Sequence, residues 1–338
     1  MSNNHQALFY SKIDNQRVQC HLCPHQCIIN EGNSGFCRVR DNINGTLYAV
    51  SYGRISGLNS DPVEKKPLFH FHPGQQILSV GGYGCNFRCP FCQNHSISQM
   101  AVNDFPEQIS YSPQQIIDLY YLEKNSCGIA FTYNEPIVNF EFVYDTAQLA
   151  FEQKIPFVLV TNGFINPAPF AQLLPFVSAM NIDLKAFADD FYRKYTGGRV
   201  APILETIKTA YQNKIHIELT LLVIPTLNDK LGEFKLMVEW ISNNLGVDVP
   251  LHLTRYFPRF KLALQPTPME TLTEMYSLAK DKLNHVYLGN VNLNEYQKTQ
   301  CPNCYSTLVE RNGYQIKLGN ITAEGDCFFC GASSNIIL

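Results

Sequence analysis

The residues best suited to chemistry are cysteines, of which this 338-residue chain has twelve. Cys85, Cys89 and Cys92 stand in C-x3-C-x2-C spacing, directly after an apolar run and the glycine-rich turn Gly81-Gly82-Tyr83-Gly84. Three thiolates can wrap a four-iron cluster and leave one iron without a protein ligand, and an open coordination position separates a catalytic metal centre from a closed structural one. The same thiols can instead hold zinc completed by a distant fourth ligand, although zinc motifs usually come as two separate ligand pairs. The glycines allow close backbone approach to such a group.

Eight further cysteines form two flanking sets. Cys20, Cys23, Cys27 and Cys37 supply four soft ligands in one compact stretch, for which zinc and a second iron–sulfur cluster are both acceptable and structural zinc is the favoured reading. With four thiolates available, His21 and His25 read as exposed or hydrogen-bonded rather than ligating. Cys301, Cys304, Cys327 and Cys330 form the two-knuckle pattern of a zinc ribbon, whose metal supplies the core that so few residues cannot. Cys127 stands apart and reads as a buried structural thiol.

The chain opens on polar residues without an apolar signal segment, and no later run is long enough to span a bilayer, so a cytoplasmic protein is expected. In that reducing compartment clustered thiols hold metal rather than pair as disulfides. A formal net charge of −3 gives no basic excess for nucleic acid or an anionic membrane.

The elements that must position these cysteines are legible as alternation. Short apolar runs beginning at 77, 128, 156, 179, 215 and 249 read as buried parallel strands. Between them lie helix signals, among them Ser112-Pro113 and a capping box at Thr267-Pro268-Met269-Glu270. With 45% hydrophobic residues the chain can build a sizeable core. The expected fold is α/β, a partial (β/α)6 barrel over residues 75–295 whose ligands gather at the C-terminal strand ends. A small N-terminal Cys-rich module with a hairpin at Asn44-Gly45 occupies 1–74, and a C-terminal zinc-ribbon-like module occupies 296–338.

Residues around the central cysteines resemble the radical S-adenosylmethionine (radical SAM) superfamily, with Phe91 as the aromatic residue before Cys92 and Cys92-Gln93-Asn94 similar to pyruvate formate-lyase activating enzymes. That resemblance implies a [4Fe-4S] cluster on Cys85, Cys89 and Cys92, and SAM as cofactor. It implies Glu135 of Thr132-Tyr133-Asn134-Glu135-Pro136 as receiver of the SAM ammonium group. Thr161-Asn162-Gly163 and Asp183-Leu184-Lys185 match motifs that help hold the SAM carboxylate, and His252 resembles a ribose-side contact. Taken singly, each of these is ordinary turn or ion-pair chemistry. Thr220 stands where activating enzymes often carry a basic residue, a contact that is lost or made by another side chain such as Arg255.

CHLCPHQC, DPVEKKPLFHFHPG, GCNFRCPFCQN and CPNC…CFFCG together resemble the radical SAM enzyme of the AmmeMemoRadiSam system over nearly the whole chain. This implies Memo-like and AMMECR-like proteins as partners, with a one-electron donor such as flavodoxin or ferredoxin. The reaction implied is reductive cleavage of SAM to a 5′-deoxyadenosyl radical, with a glycyl-radical enzyme, another protein residue or a small molecule as hydrogen donor. Rival readings are a multi-zinc scaffold and a simple iron–sulfur electron carrier. Asp61, Glu64, Lys65, Lys66, His70 and His72 read either as a substrate-facing loop or as ordinary solvated charges.

Overall fold

The computed structural model describes residues 5–101, 104 and 109–338. One eight-stranded sheet carries the molecule. Its edge strand β1 (Gly57–Pro62) is antiparallel to β2 (Gln76–Gly81). From β2 the sheet continues in chain order, all parallel, through β3 (Ser126–Thr132), β4 (Phe157–Thr161), β5 (Ala179–Asp183), β6 (His216–Val223), β7 (Leu251–Arg255) and β8 (Val286–Gly289). Successive parallel strands are joined through α1 (Pro113–Leu122), α2 (Phe140–Glu152), α3 (Pro167–Leu173), α4 (Val200–Gln212), α5 (Leu231–Leu245) and α6 (Met269–Lys280). Six strand–helix units followed by a seventh parallel strand thus form the open, parallel α/β sheet that the alternation foretells. Among the described residues β1 and β8 do not pair, so the sheet does not close.

The six apolar runs became β2 to β7. β8 is only four residues long, and β1, GLNSDP, has no apolar pattern; neither was anticipated. Since β1 lies before residue 74, the sheet begins inside the segment assigned to the N-terminal module.

Local chemistry explains the ends. Ser112 caps α1 with a full capping box: its hydroxyl accepts from Gln115 N and Gln115 Oε1 accepts from Ser112 N. The box expected at Thr267 does not form. Its hydroxyl donates to Val223 O and accepts from Tyr256 N, tying the ends of β6 and β7 together while α6 starts without a side-chain cap. The hairpin between Arg40–Ile43 and Thr46–Ala49 turns on Asn44 and Gly45, both at positive φ (51° and 73°) as a two-residue turn demands.

Most of the charged segment after β1 is buried rather than solvated, Lys65 being exposed. Val63, Leu68 and Phe71 pack with Cys127 against Ile77, Ala130, Val158 and Ala179, while Glu64, Lys66 and His70 are buried. Glu218 on β6 anchors the segment by accepting from Phe69 N (2.9 Å) and His70 N (2.7 Å). The C-terminal module, a three-stranded antiparallel sheet with Cys301, Leu308, Val309, Cys327 and Ile336 at its centre, docks on the same segment through Arg311, which donates to Phe69 O.

Candidate functional site

The loop after β2 carries the three central thiols, and its neighbours lock it in place. Asn134 Oδ1 accepts from Gly82 N while its Nδ2 donates to Gly84 O, both at 2.9 Å. A Cβ at Gly82 would meet Asn139 Nδ2 at 2.6 Å, and one at Gly84, whose φ is +80°, would meet Cys37 O at 2.6 Å. The glycines therefore admit Asn139 and the N-terminal module, a tighter demand than approach to a ligand alone. Phe91 is buried and tilted against Phe191, and Cys92 Sγ lies 3.1 Å from Ser98 Oγ.

The ends of β3 and β4 meet this loop. Glu135 is buried, with Oε1 accepting from Thr161 Oγ1 (2.7 Å) and Ile137 N (3.1 Å), and Oε2 from Asn162 N (2.8 Å). Asn162 Nδ2 donates to Asn86 Oδ1 (2.8 Å) and lies 3.9 Å from Cys85 Sγ. One asparagine thus links the expected SAM-binding carboxylate to the thiol loop. Asn86, inside the cysteine motif, carries no sequence signal for this role; its other side-chain contact, donation to Phe164 O, spans 78 residues, and its carbonyl lies 2.7 Å from His25 Nε2.

At the end of β5, Lys185 Nζ donates to Asp183 Oδ2 (2.7 Å). Burial alone would lower the Lys185 pKa, but Asp183 and Cys89 hold it above the usual lysine range. Thr220 makes no charged contact: its hydroxyl donates to Asn181 Oδ1. Arg255 is committed to Thr267 O and the Phe257 ring.

His252 is not drawn into this network. It sits second in β7, buried, with Nε2 2.6 Å from Glu218 Oε2. Burial would raise the Glu218 pKa, yet His216 and His252 hold the carboxyl well below its usual range. With its ring tied to Glu218 in the first half of the strand, His252 belongs to the knot that fastens residues 69 and 70.

The charge balance is uneven. Burial, reinforced by Glu135, pushes the Cys85 thiol well up, and burial pushes Cys89 up to about 12. Metal coordination deprotonates such thiols outright. Burial also raises Glu135 to about 7 against three hydrogen bonds that favour its charged form. A carboxylate has about four acceptor positions, three of which are used here, so the vacant one suits a cationic donor. Three thiols and two carboxylates, set against Lys185 and Arg88, fit a cationic cluster and a ligand bearing ammonium and sulfonium groups.

The profile of the Radical SAM superfamily matches residues 79–240. An uncharacterized protein of Methanocaldococcus jannaschii is 44% identical over 336 residues, covering 98% of this chain and 99% of the relative. The chain belongs to the radical SAM superfamily. Membership implies a [4Fe-4S] cluster and SAM. The pyruvate formate-lyase-activating enzyme of Clostridium pasteurianum is 22% identical over 165 residues, which is 49% of this chain and 69% of the relative. Among solved structures, Streptococcus suis SuiB aligns with a TM-score of 0.49 at 11% identity, over 68% of this chain and 52% of that one. No helix among the described residues is long and apolar enough to cross a membrane.

Proposed function

We propose that this chain is a radical SAM enzyme holding its reactive four-iron cluster on Cys85, Cys89 and Cys92, with SAM received at the ends of β3, β4 and β5. When bound, cluster and SAM together supply reductive cleavage of SAM to methionine and a 5′-deoxyadenosyl radical, which takes hydrogen from the substrate. The observation that carries this reading is the Glu135–Asn162–Cys85 linkage, in which one side chain fixes both the carboxylate and the thiol loop.

The residues divide the work. Glu135, kept in one orientation by three donors, receives the ligand's ammonium and is held ionised by it. Thr161 and the Asn162 backbone fix that carboxylate, and Asp183 with Lys185 lines the carboxylate side of the ligand. Phe91 and the buried walls of the loop exclude water from the reacting centre. The C-terminal quartet holds structural zinc.

The whole-chain resemblance to the AmmeMemoRadiSam enzyme supports a cytoplasmic protein working with Memo-like and AMMECR-like proteins, reduced by a flavodoxin or ferredoxin. Anaerobic reconstitution followed by assay of 5′-deoxyadenosine tests the core of this proposal. Cys89→Ala should remove both the brown absorbance and SAM cleavage, and cleavage surviving in that variant would overturn the assignment. Adding the partner proteins should accelerate cleavage if either is the substrate.

A further inference from the structure

The N-terminal and C-terminal cysteine quartets have equal ligand counts and unequal geometry. In the C-terminal set all four sulfurs lie within 4.8 Å of one another, with Cys301–Cys330 and Cys304–Cys327 both at 3.5 Å. Two thiolates bonded at about 2.3 Å to one tetrahedral zinc stand roughly 3.8 Å apart, so this set is gathered for a single ion. Among the described residues it is the one group of three or more cysteine, histidine or carboxylate ligands so gathered. No three of Cys20, Cys23, Cys27 and Cys37 approach that closely.

The N-terminal thiols nevertheless face one space. All four line a single cavity, walled by Leu22, Ile29, Phe36, Ile137 and Val138 and bordered by Arg40 and Asn86. A four-iron cluster binds each thiolate to a different iron at the corners of a cube, which spreads the ligands beyond the reach of one ion. The central triad, whose superfamily carries such a cluster, is also absent from the tightly gathered set. Like the central triad, the quartet is not drawn in around a single ion, unlike the zinc-like set in the same molecule.

Two further features suit metal-bound thiolates, while the spread of the sulfurs is what favours a cluster over a single ion. Arg40 is buried and borders the cavity, and its Nε has no hydrogen-bond partner although both terminal nitrogens are engaged by Glu141 and Leu8 O. Phe36 N donates to Cys27 Sγ at 3.5 Å, as backbone amides do to cluster thiolates. We infer that Cys20, Cys23, Cys27 and Cys37 hold a second four-iron cluster, fully ligated by protein and backed on one side by the barrel. Its cavity shares Asn86 with the central thiol loop, and Cys37 O packs on Gly84, so the second cluster lies against the backbone that bears the first.

Metal and sulfide analysis of the anaerobically reconstituted full chain tests this, beside a variant carrying Cys85→Ala, Cys89→Ala and Cys92→Ala. The expected result is about eight irons in the wild-type chain falling about twofold, to about four, in the variant, with about one zinc in each. Four irons in the wild type with an iron-free variant holding a second zinc would overturn the inference while leaving the central site intact. Four irons in both would overturn the central assignment and leave this one standing. Should the variant fail to fold, a wild-type count of about four irons and two zincs overturns it unaided.

Discussion

The two flanking quartets solve the same problem differently. The C-terminal one is built from its own short strands, with Cys304 and Cys330 exposed and sulfurs in near contact. The N-terminal one borrows walls from the barrel: Ile137 and Val138 follow Glu135, and Asn86 sits between two central cysteines. A metal module with only its own residues needs a compact ion as its core, whereas one packed into a larger core can surround a bulkier group. The modules' anchors differ in kind as well. Arg40 is paired in a buried ion pair with Glu141 on α2, whereas Arg311 meets Gln297 O, Thr299 Oγ1, Phe69 O and the Phe69 ring face, without a carboxylate.

The largest effect should come from breaking the first anchor. Glu141 accepts from Arg40 and from Leu8 N, all within the interface between N-terminal module and barrel. Glu141→Ala leaves a buried guanidinium uncompensated, which should cost about 3–5 kcal/mol in denaturant unfolding. A loss below about 1 kcal/mol, as at exposed pairs, would mean that the module is not held by this contact.

The burial that marks the N-terminal quartet extends across the shared wall to Glu135, where it raises a pKa, whereas in the C-terminal quartet the Ser306 hydroxyl lowers those of Cys304 and Cys327. With its pKa raised to about 7 in the folded apo chain, Glu135 stays protonated where the unfolded chain has already released that proton. Stability must therefore fall as pH rises from the ordinary glutamate range to about 7, and level off above. The contribution is roughly 3 kcal/mol. Unfolding of metal-free Glu135→Gln across this range should show the slope removed. An unchanged slope would assign the pH dependence elsewhere.

Much of this was legible in the chain, and the failures share one cause. β2 to β7 announced themselves by continuous apolar runs, the mark of strands buried on both faces. That the three-cysteine loop, Glu135, Thr161 and Asn162 come together was foreshadowed because each motif falls at a strand end. What misled were polar residues whose partners are far away in sequence. His252 looked like a ligand contact but is bound to Glu218, 34 residues earlier. His70 read as substrate-facing or solvated, yet it is buried and its backbone N–H donates to Glu218, 148 residues away; Lys66, paired with Asp61 only five residues away, is buried beside the Tyr133 ring, 67 residues on. Local pattern cannot show such pairing, because burial of a charge depends on the partner and not on the segment.

The second anchor gives a smaller effect. Arg311→Ala removes donors from Gln297 O, Phe69 O and the Thr299 hydroxyl and opens space beside the Phe69 ring, so a loss of about 2 kcal/mol is expected. Because no direct ion pair is broken, the loss should be less than that of Glu141→Ala. Equal losses would erase the distinction between the two anchors.

The smallest effect, a difference in rate, compares the quartets directly. In the metal-free chain Cys304 is exposed and the Ser306 hydroxyl lowers its thiol pKa, while burial pushes the Cys37 thiol up to about 12. Alkylation proceeds through the thiolate and requires access, so both factors favour Cys304. Limited iodoacetamide treatment near neutral pH, read by peptide mass spectrometry, should label Cys304 well before Cys37. Matched rates would mean that the N-terminal thiols open to solvent once their metal is gone, making their cavity a consequence of the bound group rather than of the fold.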